Sequence, residues 1–256
     1  MPVAKPRLAY AANRGIGLRG LEMLLAAGWR PVVLLVPGGA DATGCAEEMR
    51  RLLPDVPVLE GRDFRDDGGV RLLRSLALDV LLSVHFPYIV PREVLELSRI
   101  GCFNLHPAYL PWNRGWHTPS WTILERTRPG ATLHWMAEGM DEGDIVVRRE
   151  LDVRPEDTAH TLYQRILAVE EDVLQAAIPL LCGGRPPRLR QEQGGTRHVK
   201  ADLETVRRLD LSEERKVGEM LDLLRALTTS RADEAAYFEH DGVRYCVRVD
   251  IRPQDP

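Results

Sequence analysis

Ile100-Gly101-Cys102-Phe103-Asn104-Leu105-His106-Pro107-Ala108-Tyr109-Leu110-Pro111 is the stretch from which the rest of the chain can be read. Ile100 to Phe103 has the character of a strand and leads directly into Asn104. Pro107 and Pro111 bracket the residues after His106. Each proline ring fixes φ and biases the preceding residue toward extended geometry, so the strand runs into a rigid non-helical segment. Open α/β sheets bind ligands at the carboxyl ends of their strands. An amide and an imidazole two positions apart at such an end are candidates for chemistry.

A second segment, Glu138-Gly139-Met140-Asp141-Glu142-Gly143-Asp144, places a carboxylate 35 residues beyond His106. An Asn side chain can hydrogen-bond an oxyanion, a His can take a proton from an attacking amine, and an Asp can orient and charge-balance that imidazole. Together they are what transfer of a one-carbon acyl group to an amine requires.

The surrounding chain predicts a layered α/β fold. Arg7 to Ala12, Pro31 to Val36, Val56 to Leu59 and Asp79 to Val84 read as strands, and the nearly continuous apolar runs suit strands covered on both faces. Gly15 to Ala27, Asp41 to Leu53, Gly69 to Ala77 and Pro91 to Ser98 read as helices between them. This alternation predicts a mostly parallel, doubly wound sheet with helices on both faces. Beyond residue 104 the rhythm changes: strands at Ala131 to Met136 and Asp144 to Val153 flank Asp141, and a long helix runs from Asp157 to Leu181 with Thr158 as its cap. Gly183-Gly184-Arg185-Pro186-Pro187 is a break, which sets a catalytic domain at 1–185 and a small α+β segment at 186–256. That segment holds a helix over Glu213 to Ala226 and a hairpin, Ala235 to Glu239 and Val243 to Ile251, turning at His240-Asp241-Gly242. It is read as a dimerisation element or a cover for the substrate site.

Composition narrows the function. With 256 residues, 44% of them hydrophobic, the chain can bury a sizeable core. A net charge of −4 does not suit a nucleic-acid binder. Cys45, Cys102, Cys182 and Cys246 are too scattered for a zinc site, so no metal is expected. Met1 to Pro6 lacks a leader's apolar stretch, and no run is long enough to span a bilayer, which predicts a cytoplasmic protein. Gly15-Ile16-Gly17-Leu18-Arg19-Gly20 matches a dinucleotide fingerprint, but no acidic residue closes the second strand. Asn13 and Gly15 are instead candidates for a substrate phosphate at a helix start. His85, His134 and His160 show no partner pattern and are read as structural or exposed; Gly194-Gly195-Thr196-Arg197-His198 is assigned no role.

Asn104-Leu105-His106-Pro107, the following Leu110-Pro111 and Asp141-Glu142-Gly143-Asp144 resemble the formyltransferases that use N10-formyltetrahydrofolate. Residues 75 to 185 carry the resemblance, closest to the sugar N-formyltransferases through Ser83-Val84-His85-Phe86-Pro87-Tyr88-Ile89-Val90-Pro91 and Asn113-Arg114-Gly115. Ala108 departs from the serine of many relatives. The resemblance implies formyl transfer to an amino sugar carried on a nucleotide, with Asn104, His106 and Asp141 catalytic and no metal. It implies a folate slot at Phe86, Pro87, Tyr88, Ile89 and Val90, closed by Gly139 and Asp144. Arg114, Trp116 and His117 are candidates for the amine substrate, and a homodimer is expected by analogy. Other small amines, methionyl-tRNA and a binding module without turnover are the alternatives. The tail is short and not strongly basic, which counts against tRNA, and a first strand at residue 7 leaves no room for the extra domain of a formyltetrahydrofolate hydrolase.

Overall fold

The computed structural model describes residues 5–254; Met1 to Ala4, part of the stretch in which a leader was sought, lie outside the described residues. In chain order the elements are β1 (Leu8–Ala12), α1 (Arg14–Ala26), β2 (Val33–Val36), α2 (Cys45–Leu52), β3 (Val58–Glu60), α3 (Asp67–Ser75), β4 (Val80–Val84), α4 (Arg92–Leu95), β5 (Gly101–His106), β6 (Arg114–Gly115), α5 (Thr118–Glu125), β7 (Gly130–Trp135), β8 (Ile145–Glu150), α6 (Ala159–Cys182), β9 (Arg197–His198), α7 (Glu204–Arg207), α8 (Val217–Ala226), β10 (Ala236–His240) and β11 (Val243–Val247). Seven strands form one sheet in the order β3-β2-β1-β4-β5-β7-β8. β1 to β5 are parallel to their neighbours, and β7 joins β5 antiparallel.

Burial explains why the central strands read as continuous apolar runs. β1, β2 and β4 are buried along their whole length. Each Leu or Val side chain so covered contributes about 1.5–3 kcal/mol. α1 is capped by Asn13, whose side chain accepts from the Arg14 N–H. Its glycines serve packing: a Cβ on Gly17 would lie 3.0 Å from that of Ala12, and one on Gly20 would lie 2.5 Å from the Tyr10 hydroxyl. The dinucleotide-like motif is thus a close helix–strand contact.

Two compact units emerge. The first takes the chain to His106, then Thr132–Arg148 and Glu170–Gln191; the second takes Pro107–Ala131, Arg149–Val169 and the chain from Glu192. The first has a core of Ala9, Val33, Leu35, Phe64, Leu73, Leu81 and their neighbours. The second has smaller clusters around Leu162, Ile166 and Ala226 and around Leu203, Leu223 and Leu227. Thr158 caps α6 as expected, its hydroxyl accepting from the Thr161 N–H at 3.3 Å. β10 and β11 form the anticipated hairpin, with Asp241 (φ 50°) and Gly242 (φ 77°) in its turn, the left-handed pair that a two-residue turn demands.

Several boundaries are shorter than the sequence predicts. α2 begins at Cys45, not Asp41, because Gly39–Asp41 forms a separate 3-10 turn. α4 ends at Leu95, not Ser98, since the Arg99 and Ile100 N–H groups are drawn to the carbonyls of Leu78 and Asp79. α8 starts at Val217 rather than Glu213. β8 spans only Ile145–Glu150. β11 stops at Val247, where the Arg248 guanidinium and the Val249 N–H turn to the Thr229 carbonyl and the Thr228 hydroxyl.

Candidate active site

Strand alternation places the site. Successive side chains on β5 point to opposite faces, so Asn104 and His106 share one face while Phe103 and Leu105 share the other. β7 lies antiparallel with Asn104 opposite His134 and His106 opposite Thr132. Directly opposed residues project to the same face. Asn104, His106 and His134 therefore converge before any loop is considered.

The Asp141 turn completes the group. Its Oδ2 lies 3.6 Å from His106 Nδ1, and its Oδ1 lies 3.4 Å from His134 Nε2 and 3.5 Å from Asn104 Nδ2. Asn104 Nδ2 is also 3.4 Å from His134 Nε2. His106 and His134 are buried, and the Asp141 side chain is 13% exposed. Because a carbonyl can only accept, His134 Nδ1 donates to the Trp135 oxygen at 2.8 Å, which turns Nε2 toward Asp141 and Asn104. Ser83, opposite Asn104 on β4, donates its hydroxyl to Asn104 Oδ1 at 2.8 Å. That bond sets which end of the amide faces the carboxylate.

The Asp141 backbone is in the left-handed region at φ 56°, uncommon for a residue with a side chain and best tolerated by Asn and Asp. Gln191 holds it: the Gln191 Nε2 donates to the carbonyls of both Asp141 and Gly143 at 2.7 Å. A Cβ on Gly143 would lie 1.8 Å from the Trp135 carbonyl oxygen, so only glycine permits this turn to close on β7. Asp144 faces elsewhere. Its carbonyl accepts from the Trp135 N–H at 2.8 Å, and its carboxylate lies 3.9 Å from Arg188.

The Phe86–Val90 loop leaves the end of β4 in the same unit. Phe86 and Tyr88 pack edge-to-face with centroids 5.2 Å apart, and Phe64 meets Phe86 at 5.5 Å. Val90 is buried, whereas Ile89 is 74% exposed. The Arg65 guanidinium donates to the Ile89 carbonyl. The N–H groups of Tyr88, Ile89 and Val90 find no acceptor among the described residues. An aromatic wall with unspent backbone donors at its rim suits a flat heterocycle with its own acceptors. Gly139 stands in the Asp141 turn, and a Cβ there would meet the Glu142 carboxylate.

Asn13 and Gly15 stand at the start of α1. The Asn13 side chain is committed within the chain: its Oδ1 accepts from Arg14 N–H and the Thr43 hydroxyl, and its Nδ2 donates to the Asp41 carbonyl. Nothing lies within 4 Å of where a Gly15 Cβ would be. Arg114, Trp116 and His117 are in the second unit. Arg114 sits in β6, paired with Arg197 in β9. Trp116 is partly exposed with the Lys200 ammonium 5.6 Å from its ring centre. His117 borders a cavity of about 320 Å³ with Lys200, Glu204, Arg231, Asp233 and Glu234. Burial first, and Lys200 among the charges, hold its imidazole below the ordinary range against the pull of Glu234. Thr196 and His198, to which the sequence assigns no role, are tied in: Thr196 bonds Asn113, and His198 stacks on Trp121 at 3.7 Å.

One histidine requires correction: His134 is part of the Asp141 group. His85 is structural, held by Glu170 through Nε2 at 2.7 and 3.0 Å. Neither partner lies at a spacing that a single segment reveals; strand register brings one and a helix 85 residues on brings the other. The third, His160, has a buried Nδ1 without a hydrogen-bond partner. Among the described residues no group of three or more His, Cys, Asp and Glu could hold a metal ion.

Residues 37–178 match the formyl transferase family, and residues 202–253 match the N-formyltransferase dimerization C-terminal domain. The dTDP-4-amino-4,6-dideoxyglucose formyltransferase of Mycobacterium tuberculosis is 30% identical over 178 residues, 70% of this chain and 75% of that one. The formyltransferase PseJ from Anoxybacillus kamchatkensis, solved with UDP-4,6-dideoxy-4-formamido-L-AltNAc and tetrahydrofolate, is 28% identical over 68% of this chain and 88% of that one, with a TM-score of 0.54. A sugar N-formyltransferase from Shewanella shares the fold at a TM-score of 0.83, 21% identity and coverage of 98% and 99%. By the family match across more than half its length and by this relationship to a dTDP-amino-sugar enzyme, the chain belongs to the formyl transferase family.

Proposed function

We propose that this enzyme transfers the formyl group of N10-formyltetrahydrofolate to the primary amine of a nucleotide-linked amino sugar. The observation that carries the reading is the single carboxylate, Asp141, within 3.4–3.6 Å of His106, His134 and Asn104 on one face of β5 and β7. The M. tuberculosis relative, named for a dTDP-4-amino sugar, supports the acceptor class. PseJ, bound to a UDP-formamido sugar and tetrahydrofolate, supports both the acceptor and the folate.

In this reading the folate supplies an activated formyl carbon, and its pterin edge meets the backbone of Phe86, Pro87, Tyr88, Ile89 and Val90. Gly139 and Asp144 belong to the turn that closes the slot. With Nδ1 turned to Asp141, His106 takes the proton of the attacking amine at Nε2, and the Asp141 carboxylate offsets the imidazolium charge. Asn104 Nδ2 donates to the formyl oxygen as negative charge grows there; on collapse the bond from the formyl carbon to N10 breaks, the imidazolium returns its proton to N10, and tetrahydrofolate leaves as the formamide forms. The Asn104 Nδ2 contacts at 3.4–3.5 Å are long for N–H bonds, so the donor is not spent on them and can serve an oxyanion that comes closer. Gly15 at the α1 N-terminus, with Asn13 fixing the turn, is assigned to a substrate phosphate. Arg114, Trp116 and His117 are assigned to the amine substrate, Trp116 by its partly exposed ring.

At the scale of the chain we assign catalysis to residues 1–185 and assembly of a homodimer to residues 186–256, supported by the dimerization-domain match. No helix among the described residues is long and apolar enough to cross a membrane. Four free thiols suit a reducing cytoplasm.

The test is incubation with N10-formyltetrahydrofolate and a panel of nucleotide-linked amino sugars, dTDP-4-amino-4,6-dideoxyglucose among them, with product mass as the readout. The expected outcome is a gain of one formyl group on one sugar. His106→Asn should lose about 10²–10⁴-fold in kcat, the range for a positioned acid–base group. Transfer to no sugar, or unchanged turnover in His106→Asn, would overturn the assignment.

A further inference from the structure

Among the described residues Glu170 is the most deeply buried acid. It lies in α6 with no exposed side-chain surface, and both its oxygens reach His85 Nε2, at 2.7 and 3.0 Å. The His85 side chain is itself only 7% exposed. Taking a carboxylate out of water is costly, and a well-packed apolar pair of similar volume would stabilise a fold as well or better. What a buried hydrogen-bonded pair adds over such a pair is a fixed position and orientation.

The position it fixes is specific. His85 directly follows β4 and directly precedes Phe86, and its backbone is left-handed at φ 52°. It is the point at which the chain leaves the sheet and turns into the Phe86–Val90 loop. Farther along, the loop's polar ties are exposed or long: an exposed Arg65 donates to the Ile89 carbonyl, and the Tyr88 hydroxyl stands 3.4 Å from the Gly38 N–H. His85 is thus the buried anchor at the loop's origin.

We propose that His85 and Glu170 are a positioning pair that sets the Phe86–Val90 loop in the geometry that receives a pterin. The proposal rests on the reading of that loop as the folate slot. Neither residue touches the reacting atoms. The imidazole, tied to α6, holds a left-handed turn that would otherwise relax, and the backbone donors of Tyr88, Ile89 and Val90 keep their spacing. The effect belongs to folate affinity.

The experiment is titration of the full chain with tetrahydrofolate by calorimetry, for the unmodified protein, Glu170→Leu, Glu170→Gln and His85→Asn, with the melting temperature of each. Glu170→Leu and His85→Asn should weaken tetrahydrofolate by about tenfold or more, the scale of one lost buried hydrogen bond to a charged group. Glu170→Gln, whose amide oxygen still accepts from Nε2, should stay within about threefold of the unmodified protein. A pair that serves stability alone would lower the melting temperatures and leave the affinity of the folded variants unchanged, and that result overturns the proposal. If Glu170→Leu fails to fold, His85→Asn carries the test, because Asn tolerates the left-handed backbone. An unmodified protein that does not bind tetrahydrofolate removes the folate slot and the pair's role together. One that binds while His85→Asn binds equally well removes only the pair's role.

Discussion

At the scale of the residue, the proposed site depends on side chains outside the Asn104, His106 and Asp141 group. Asn104 can serve an oxyanion only if its Nδ2 faces the formyl oxygen, and an amide can rotate. The Ser83 hydroxyl, 2.8 Å from Asn104 Oδ1, decides the orientation. Ser83→Ala should lower kcat by about five- to tenfold, the worth of one neutral hydrogen bond, with little change in the substrate KM or melting temperature. Steady-state kinetics beside a thermal melt checks this, and an unchanged kcat would mean that Asp141 alone orients the amide. Cys102, two residues before Asn104 on the same strand, is not a rival nucleophile. Burial pushes its thiol up to about 11, and its sulfur lies 3.4 Å from the Leu95 carbonyl. At pH 8 an alkylating reagent and peptide mass mapping should mark exposed Cys246 first and leave Cys102 unlabelled until the fold opens.

At the scale of the element, the Asp141 turn is held from two sides. Gly143 lets it close on β7, and Gln191 spans the Asp141 and Gly143 carbonyls. In Gly143→Ala the new methyl would stand 1.8 Å from backbone oxygen, which no rotamer change relieves. The expected loss is about 2–3 kcal/mol of stability and most of the activity, since the carboxylate moves with the turn; circular-dichroism melts and turnover measure the two. Gln191→Leu should instead keep the fold and lower kcat, because it removes the clamp without a clash. The same turn shows what a sequence can and cannot reveal. Asn104, His106 and Asp141 are legible because their residue types, their spacing and the flanking prolines are local text. His134 is not, because it enters by standing opposite Asn104 across an antiparallel pair, and register is a property of two strands. Gln191 is less legible still, since it arrives from beyond the Gly183 break by loop geometry alone. The central strands are legible from continuous burial. The helix ends are not, because α4 is cut short by the carbonyls of Leu78 and Asp79, a competition that its own residues do not encode.

At the scale of the whole molecule, the question is why the last segment exists at all, since every atom of the Asn104–His106–Asp141 group lies in the first unit. α8 offers a reason. Leu223 and Ala226 face inward, while Val217 and Leu221 are 75% and 44% exposed, one turn apart on a single face. On β11, Val243 and Tyr245 are exposed two residues apart, again on one face. Scattered surface leucines need no explanation, but paired apolar positions at helical and strand spacing in one small segment are the pattern of a surface that awaits a partner. The segment matches a dimerization domain, and a second copy of the chain is the partner that such a surface serves most simply. The protein should therefore sediment as a dimer at micromolar concentration. Val217→Lys combined with Leu221→Lys places two charges on the exposed face without touching Leu223 or Ala226, so the helix and its inner packing should survive. The double variant is expected to sediment as a folded monomer with an unchanged far-ultraviolet spectrum. A double variant that remains dimeric would move the interface to the hairpin face of Val243 and Tyr245, and a monomeric unmodified protein would leave the exposed residues of α8 without an assembly role.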